Sequence, residues 1–328
     1  MSHPTRRSLL AAVASAGLLG RGAVRAQAAA GFPTKPITLI VPFAPAGIAD
    51  ITARTVAQAM AQTLGQPVVI DNRPSAGSIV GSTAVAQAAP DGHTLLLVSN
   101  ANAVSASLFK KLPFDIQKDF APIGTLAFFD LAAFVDAGSR YKSVADVLAE
   151  GKARPGKLTI GTIAAGSTQH LSAELLKRRA GIDAVVVPYK GTPAVMTALR
   201  AGEIDVAFEI VAPMLAQISA KAVRALAVTS DVRHPALAGV PTMAEAGVAN
   251  YNVASWNGLA APKGTPAAVV DRLNRAIREA LAAPTVVQRF AELGVRAQAG
   301  SPAQLSALLA SEIPRWREVI VAAKIEPE

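Results

Sequence analysis

Twice in this chain a run of β-branched and aliphatic residues ends in a loop of small residues that opens directly into a helical pattern. The first unit reads Ile37-Thr-Leu-Ile-Val-Pro-Phe43, then Ala44 to Asp50, then Ile51 to Leu64 closed by Gly65. The second reads Lys157 to Thr162, then Ala164-Ala165-Gly166-Ser167, then Thr168 to Ala180 closed by Gly181. Short apolar runs of this kind form strands, and the longer stretches of 3.6-residue period form helices that a glycine can stop. Strands at Val68–Asp71 and Thr94–Ser99 follow the first unit, separated by a helix at Ser82–Ala88 and a Pro90-Asp91-Gly92 turn. Strands at Ala184–Tyr189, Ile204–Phe208 and Arg224–Thr229 follow the second, with a helix at Pro193–Arg200. Such alternation implies right-handed crossovers and a parallel sheet covered by helices on both faces. The chain thus holds two α/β units with one grammar and no residue-level repeat. Helices at Ala267–Ala282, Val286–Leu293 and Pro302–Lys324 complete it. Two such lobes leave a cleft between them, lined by loops at strand C-termini.

Composition narrows the chemistry. With 328 residues and 51% apolar content, the chain can build two cores and is not disordered. It has no cysteine, which excludes disulfides, thiolate metal sites and a Cys nucleophile, and its four histidines argue against an imidazole metal centre. The mean hydropathy of +0.35 invites a membrane reading. The most membrane-like stretch, Ser8 to Gly20, is about a dozen residues, short of the roughly 20 a span requires. It follows Arg6-Arg7 and precedes Val24-Arg25-Ala26-Gln27-Ala28, the pattern of an export signal cut after Ala26 or Ala28, either of twin-arginine type, which the paired arginines favour, or an ordinary secretory signal that happens to hold two arginines. Without the four arginines of residues 1–28 the net charge falls from +9 to +5. The remaining basic residues are scattered, and the one run, Lys177-Arg178-Arg179, complements a helix C-terminus. Nucleic acid is therefore not an expected partner.

The two opening loops carry the functional signal. Each places small residues at a helix start, where unpaired N–H groups and the helix dipole attract anions. One such start contributes about 0.3–2 kcal/mol, whereas micromolar affinity needs roughly 8 kcal/mol. Both lobes must therefore close on one ligand. Gly161-Thr-Ile-Ala-Ala-Gly166-Ser167-Thr168 has the spacing of a phosphate-binding loop, but Ser167 stands where lysine is required. A nucleotide is thereby disfavoured, and a smaller anion such as a carboxylate remains. No Gly-x-Ser-x-Gly, His-Glu-x-x-His or Gly-x-Gly-x-x-Gly motif is present. His170, three residues after Ser167, is expected to brace the loop.

The ordered motifs resemble those of the extracytoplasmic solute receptors of tripartite tricarboxylate transporters, the TctC or Bug family. They include Pro36 to Phe43 leading to Gly47 and Asp50, Asn72-Arg73-Pro74 with Ala76-Gly77, and Pro90-Asp91-Gly92-His93-Thr94-Leu95-Leu96. Gly166-Ser167 with His170-Leu171, Val187-Pro188-Tyr189-Lys190-Gly191 and Arg224 to Ser230 follow in order. Val240-Pro241-Thr242, Glu245-Ala246-Gly247, Trp256, Gly258-Leu259 and Ala261-Pro262 extend the resemblance from about Phe32 to Glu328. It implies an α/β, two-lobed periplasmic-binding-protein fold of Venus-flytrap, type II-like form, with a parallel-rich sheet in each lobe. Lobe 1 would comprise residues 29–127 with a return at 254–328, and lobe 2 residues 128–253. The crossings are expected near Gly124–Leu131 and within Ser230–Ser255.

The implied function is capture of a small organic carboxylate in the periplasm by a monomer, without cofactor or metal, and delivery to membrane transporter subunits. The first-lobe loop of the family usually reads Gly-Gly-x-x-Asp, which places Phe43, Ala44, Pro45, Ala46, Gly47 and Asp50 at the site. The second-lobe loop matches Ala165, Gly166, Ser167 and Thr168, followed by His170. Gly77, Asn100, Asp205 and Glu209 complete the candidate set. Ser167 and Thr168 are expected to donate to the ligand, and Glu209, if it faces the cleft, to disfavour a second carboxylate. This chain departs from the pattern at Ala46, where a Cβ makes a positive φ costly, and at Ser75 and Ser78. A ligand sensor that signals through a partner, and an enzyme using Asp50, Asp205 or Glu209 as a base, are the competing readings.

Overall fold

The computed structural model describes residues 31–327. The export signal expected at residues 1–28 lies outside them. Among the described residues no helix is long and apolar enough to cross a membrane. The first half of the molecule begins with β1 (Ile37–Val41), α1 (Ile48–Leu64), β2 (Val68–Asn72), α2 (Ile79–Ala86), β3 (Thr94–Ser99) and α3 (Asn100–Leu108). β4 (Phe120–Asp136) leads to α4 (Val144–Ala153), β5 (Leu158–Ile163), α5 (Thr168–Ala180), β6 (Ala184–Tyr189) and α6 (Thr192–Ala201). β7 (Val206–Ile210), α7 (Val211–Ser219) and β8 (Val223–Val228) follow. The return comprises β9 (Ala254–Pro262), α8 (Ala267–Ala282), α9 (Pro284–Glu292), β10 (Arg296–Ala297) and α10 (Pro302–Ala322). α1 and α5 stop where expected, at Gly65 and Gly181, both left-handed.

The sheet runs β2-β1-β3-β9-β4-β7-β5-β6, with β8 and β10 also paired to β4. The outer pairs, β1 with β2 and β3 and β5 with β6 and β7, are parallel. Toward the centre the sheet becomes antiparallel, where β4 meets β7, β8 and β9, and β9 meets β3. The reason is that β4 runs through both halves of the sheet. β4 pairs with β9 as far as Asp130 and with β7 from Leu131 onward. One apolar cluster, with Met60, Leu97 and Ile277, fills the first lobe. A second, with Val195, Phe208's neighbour Ala207 and Met214, fills the outer part of the second. A third, around Trp256, Trp316 and Tyr251, joins Val98 of β3 to Ile160 of β5 and so runs through both. α10 lies over this junction. Its Glu318 pairs with Arg178 of α5, so the last helix serves both halves of the molecule.

Candidate functional site

A cavity of about 350 Å³ lies between the lobes at the C-terminal ends of β1, β3, β5 and β7. Its walls are the starts of three helices. Phe43, Ala44, Gly47, Ile48 and Ala49 bring in α1; Ser99, Asn100 and Ala101 bring in α3; and Gly166, Ser167, Thr168 and Gln169 bring in α5. Phe129 of β4 and Ser255 and Asn257 of β9 form the floor with Ile163 and Ile210. Among the described residues no charged side chain lines it. An anion here would be met by helix N-termini and polar neutral groups in a largely apolar enclosure.

The three helix starts differ in what they leave free. α1 has no side-chain cap, and its first intrahelical bond runs from Ile51 N–H to Gly47 O. The N–H groups of Ile48 and Ala49 therefore have no backbone partner in the helix. α3 is closed by a capping box between Ser99 and Asn102. α5 is capped by Ser167, whose Oγ accepts the His170 N–H at 3.1 Å and donates to Ile163 O at 3.0 Å. The Ser167 hydroxyl is thus spent inside the loop, which corrects the expectation that it donates to a ligand. Thr168 differs, because its Oγ1 accepts Asn100 Nδ2 at 2.9 Å and keeps its own hydrogen. That bond ties α3 to α5 across the cavity. Asn100 is held in turn by Trp316 Nε1, which donates to its Oδ1 at 2.8 Å.

Several expected site residues support the walls instead of forming them. Asp50 is buried beneath the first loop, where Oδ2 accepts the Ala46 N–H and Arg54 Nε, each at 2.9 Å, and Oδ1 accepts Asn72 Nδ2 at 2.8 Å. Burial raises its pKa, but the hydrogen bonds from Arg54, Asn72 and Ala46 outweigh this and hold it below the usual carboxylate value. Ala46 takes φ 65°, the left-handed conformation despite its Cβ, and with Pro45 and Ala165 it is exposed beside the cavity. His170 accepts the Gly166 N–H at Nδ1 (3.1 Å) and braces the loop from behind. Burial lowers its pKa, so the ring stays neutral at pH 7.

Three expected ligand contacts are not made. Gly77 packs under α3, where Ser105 Oγ donates to its carbonyl at 2.8 Å and a Cβ would come within 2.4 Å of Phe109. Asp205 precedes β7 and so lies at the opposite end of that strand from the cavity, accepting the Thr159 N–H and Oγ1, both at 2.9 Å. Glu209, at the cavity end of β7, is fully buried and does not line the cavity. It stands behind Gln169, whose Nε2 donates to Glu209 Oε2 at 3.3 Å. Sequence reading missed Gln169, Ser255 and Asn257. The last two alternate with Trp256 on β9, a period-2 signal legible only once that segment is known to be a strand.

Two α/β lobes closed over a cavity at the ends of their strands define a solute-binding protein. The chain belongs to the tripartite tricarboxylate transporter receptor family, TctC, whose pattern matches residues 52–325. BugT of Bordetella pertussis is 36% identical over 291 residues, 88% of this chain and 89% of BugT. Among solved structures, MatC of Rhodopseudomonas palustris with bound malate is 33% identical with a TM-score of 0.75, covering 88% of this chain and all of that one. An R. palustris protein with adipate is 33% identical with a TM-score of 0.78, covering 90% of this chain and all of the other.

Proposed function

We propose that this protein captures a small organic carboxylate in the cavity between its lobes and presents it, in the periplasm, to the membrane subunits of a tripartite tricarboxylate-type transporter. The observation that carries this reading is the cavity itself, walled by helix N-termini from both lobes and, among the described residues, by no charged side chain. Such a wall favours a small anion over a cation or a large apolar ligand. The N–H groups at the start of α1, the Thr168 hydroxyl and the side chains of Gln169, Ser255 and Asn257 are the groups we assign to the ligand. Malate and adipate, the ligands of the two R. palustris relatives, are the first candidates. Residues 1–28 would direct export by the twin-arginine route before removal. The lobes would meet at the sheet switch within β4 and just before β9.

Calorimetry with malate and adipate tests the assignment. Wild type is expected to bind at least one of them. Thr168→Val, which removes the free hydroxyl and the Asn100 bond, is expected to weaken that binding by about tenfold, the equivalent of about 1.4 kcal/mol. Binding of neither acid, or equal affinity in the variant, would count against it.

A further inference from the structure

Glu209 poses a physical problem that the binding reading leaves unsolved. Its carboxyl is fully buried, with Oε2 accepting Gln169 Nε2 at 3.3 Å and Thr192 Oγ1 at 3.2 Å. Its Oε1 is buried with no partner among the described residues. An unpaired buried carboxylate oxygen is costly, and it stands here one side chain behind the ligand cavity. That intervening side chain is Gln169, which lines the cavity and whose Oε1 accepts no hydrogen bond among the described residues.

An amide can face its neighbours either way round. With Glu209 ionised, the Gln169 NH₂ must donate to it, and the Gln169 carbonyl is left for the cavity. With Glu209 protonated, its O–H can donate to the Gln169 carbonyl, and the NH₂ is released toward the ligand. We propose that Glu209 is a positioning residue that sets, through Gln169, whether the second-lobe wall offers the ligand an acceptor or a donor, so that an anionic carboxylate binds with uptake of a proton. This rests on the carboxylate reading above. A carboxylate in the cavity favours the protonated form twice over, since it needs a donor from Gln169 and it repels a second negative charge through a low-dielectric wall.

The surroundings leave Glu209 free to respond. Titratable groups on the elements packed against β7 are Asp130 and Asp136 on β4, His170, Glu174, Lys177, Arg178 and Arg179 on α5, and Arg200 on α6; β5 and α7 carry none. Among the described residues none of these groups hydrogen-bonds the Glu209 carboxyl. Burial pushes its pKa up to about 7, against the hydrogen bonds from Gln169 and Thr192. The sign follows. A bound anion raises the pKa further, so affinity is highest below about pH 7 and falls as pH rises through the interval between the free and bound values.

Calorimetry on the wild-type protein and Glu209→Gln, with malate or adipate in buffers of different ionisation enthalpy, tests this between pH 6 and 8.5. Wild-type affinity is expected to drop about tenfold over that range, with buffer-dependent heats that report proton uptake, and the variant to show neither. Wild-type binding that is flat with pH and takes up no proton overturns the proposal, and does so even if the variant fails to fold. An equal pH slope in a folded variant also overturns it. In both cases the carboxylate reading survives. Failure of wild type to bind either acid at any pH would instead sink that reading, and this proposal with it.

Discussion

Ala46 is where this chain departs most visibly from the loop it resembles, and its φ of 65° shows what holds it there. Left-handed backbone costs a residue with a Cβ about 1–2 kcal/mol. The Asp50 carboxylate offsets that cost by accepting the Ala46 N–H, and Asn72 fixes the same carboxylate while donating to Phe43 O at 3.1 Å. Loop shape is thereby set by a buried acid rather than by a second glycine. Ala46→Gly is expected to stabilise the protein by about 0.5–1 kcal/mol, the strain relieved less the extra freedom of the unfolded chain. Urea denaturation would read this as a higher midpoint at an unchanged slope. A lower midpoint would mean that the Cβ makes a contact the geometry does not reveal.

At the scale of elements, the start of α5 is the most constrained feature. Gly166 has φ 74°, and a Cβ there would lie 2.6 Å from Leu108 Cδ2, at the end of α3 on the other side of the cleft. Gly181, at the other end of the same helix, is also left-handed at φ 62° but has nothing within 4 Å. The pair separates backbone strain from cleft geometry. Gly166→Ala and Gly181→Ala should each cost about 1 kcal/mol of stability. Only Gly166→Ala, whose Cβ displaces the Leu108 side chain across the cleft, should weaken malate or adipate binding in calorimetry, by about tenfold. Equal affinities in the two variants would place the ligand away from the α5 start.

For the whole molecule, the question is how far the lobes move. On the division proposed above, β4 and the segment before β9 would connect them side by side, and Thr229 Oγ1 bonds both segments, to Leu131 O at 3.1 Å and to Val253 O at 2.6 Å. Two adjacent crossings permit a hinge and resist twisting. Neither lobe alone supplies enough of the ligand shell, so binding should favour the closed form. Saturating ligand is expected to reduce the radius of gyration in solution scattering, with α10 and the shared core around Trp316 limiting the amplitude. Binding with unchanged scattering would indicate a rigid pocket and remove the need for both loops.

Much of this architecture is local and was legible along the chain. The β1–α1 and β5–α5 units, their small-residue loops and the glycines that end both helices follow from periodicity and turn chemistry, which depend only on neighbours. So does the bracing role of His170, three residues after the cap it supports. Other features are not local. α3 begins without a linker where β3 stops, and periodicity marks no helix at its Asn100-Ala-Asn-Ala start, which the Ser99–Asn102 capping box closes. Ser255 and Asn257 reach the cavity only because β9 lies between β3 and β4, pairings made across more than a hundred residues. Glu209 and Asp205 look alike in sequence, two acids at the ends of one strand. Which end meets the ligand, and that Gln169 stands between Glu209 and the cavity, were decided by the packing of α5 against β7, because burial and hydrogen-bond partners are properties of the folded surroundings and not of the residue.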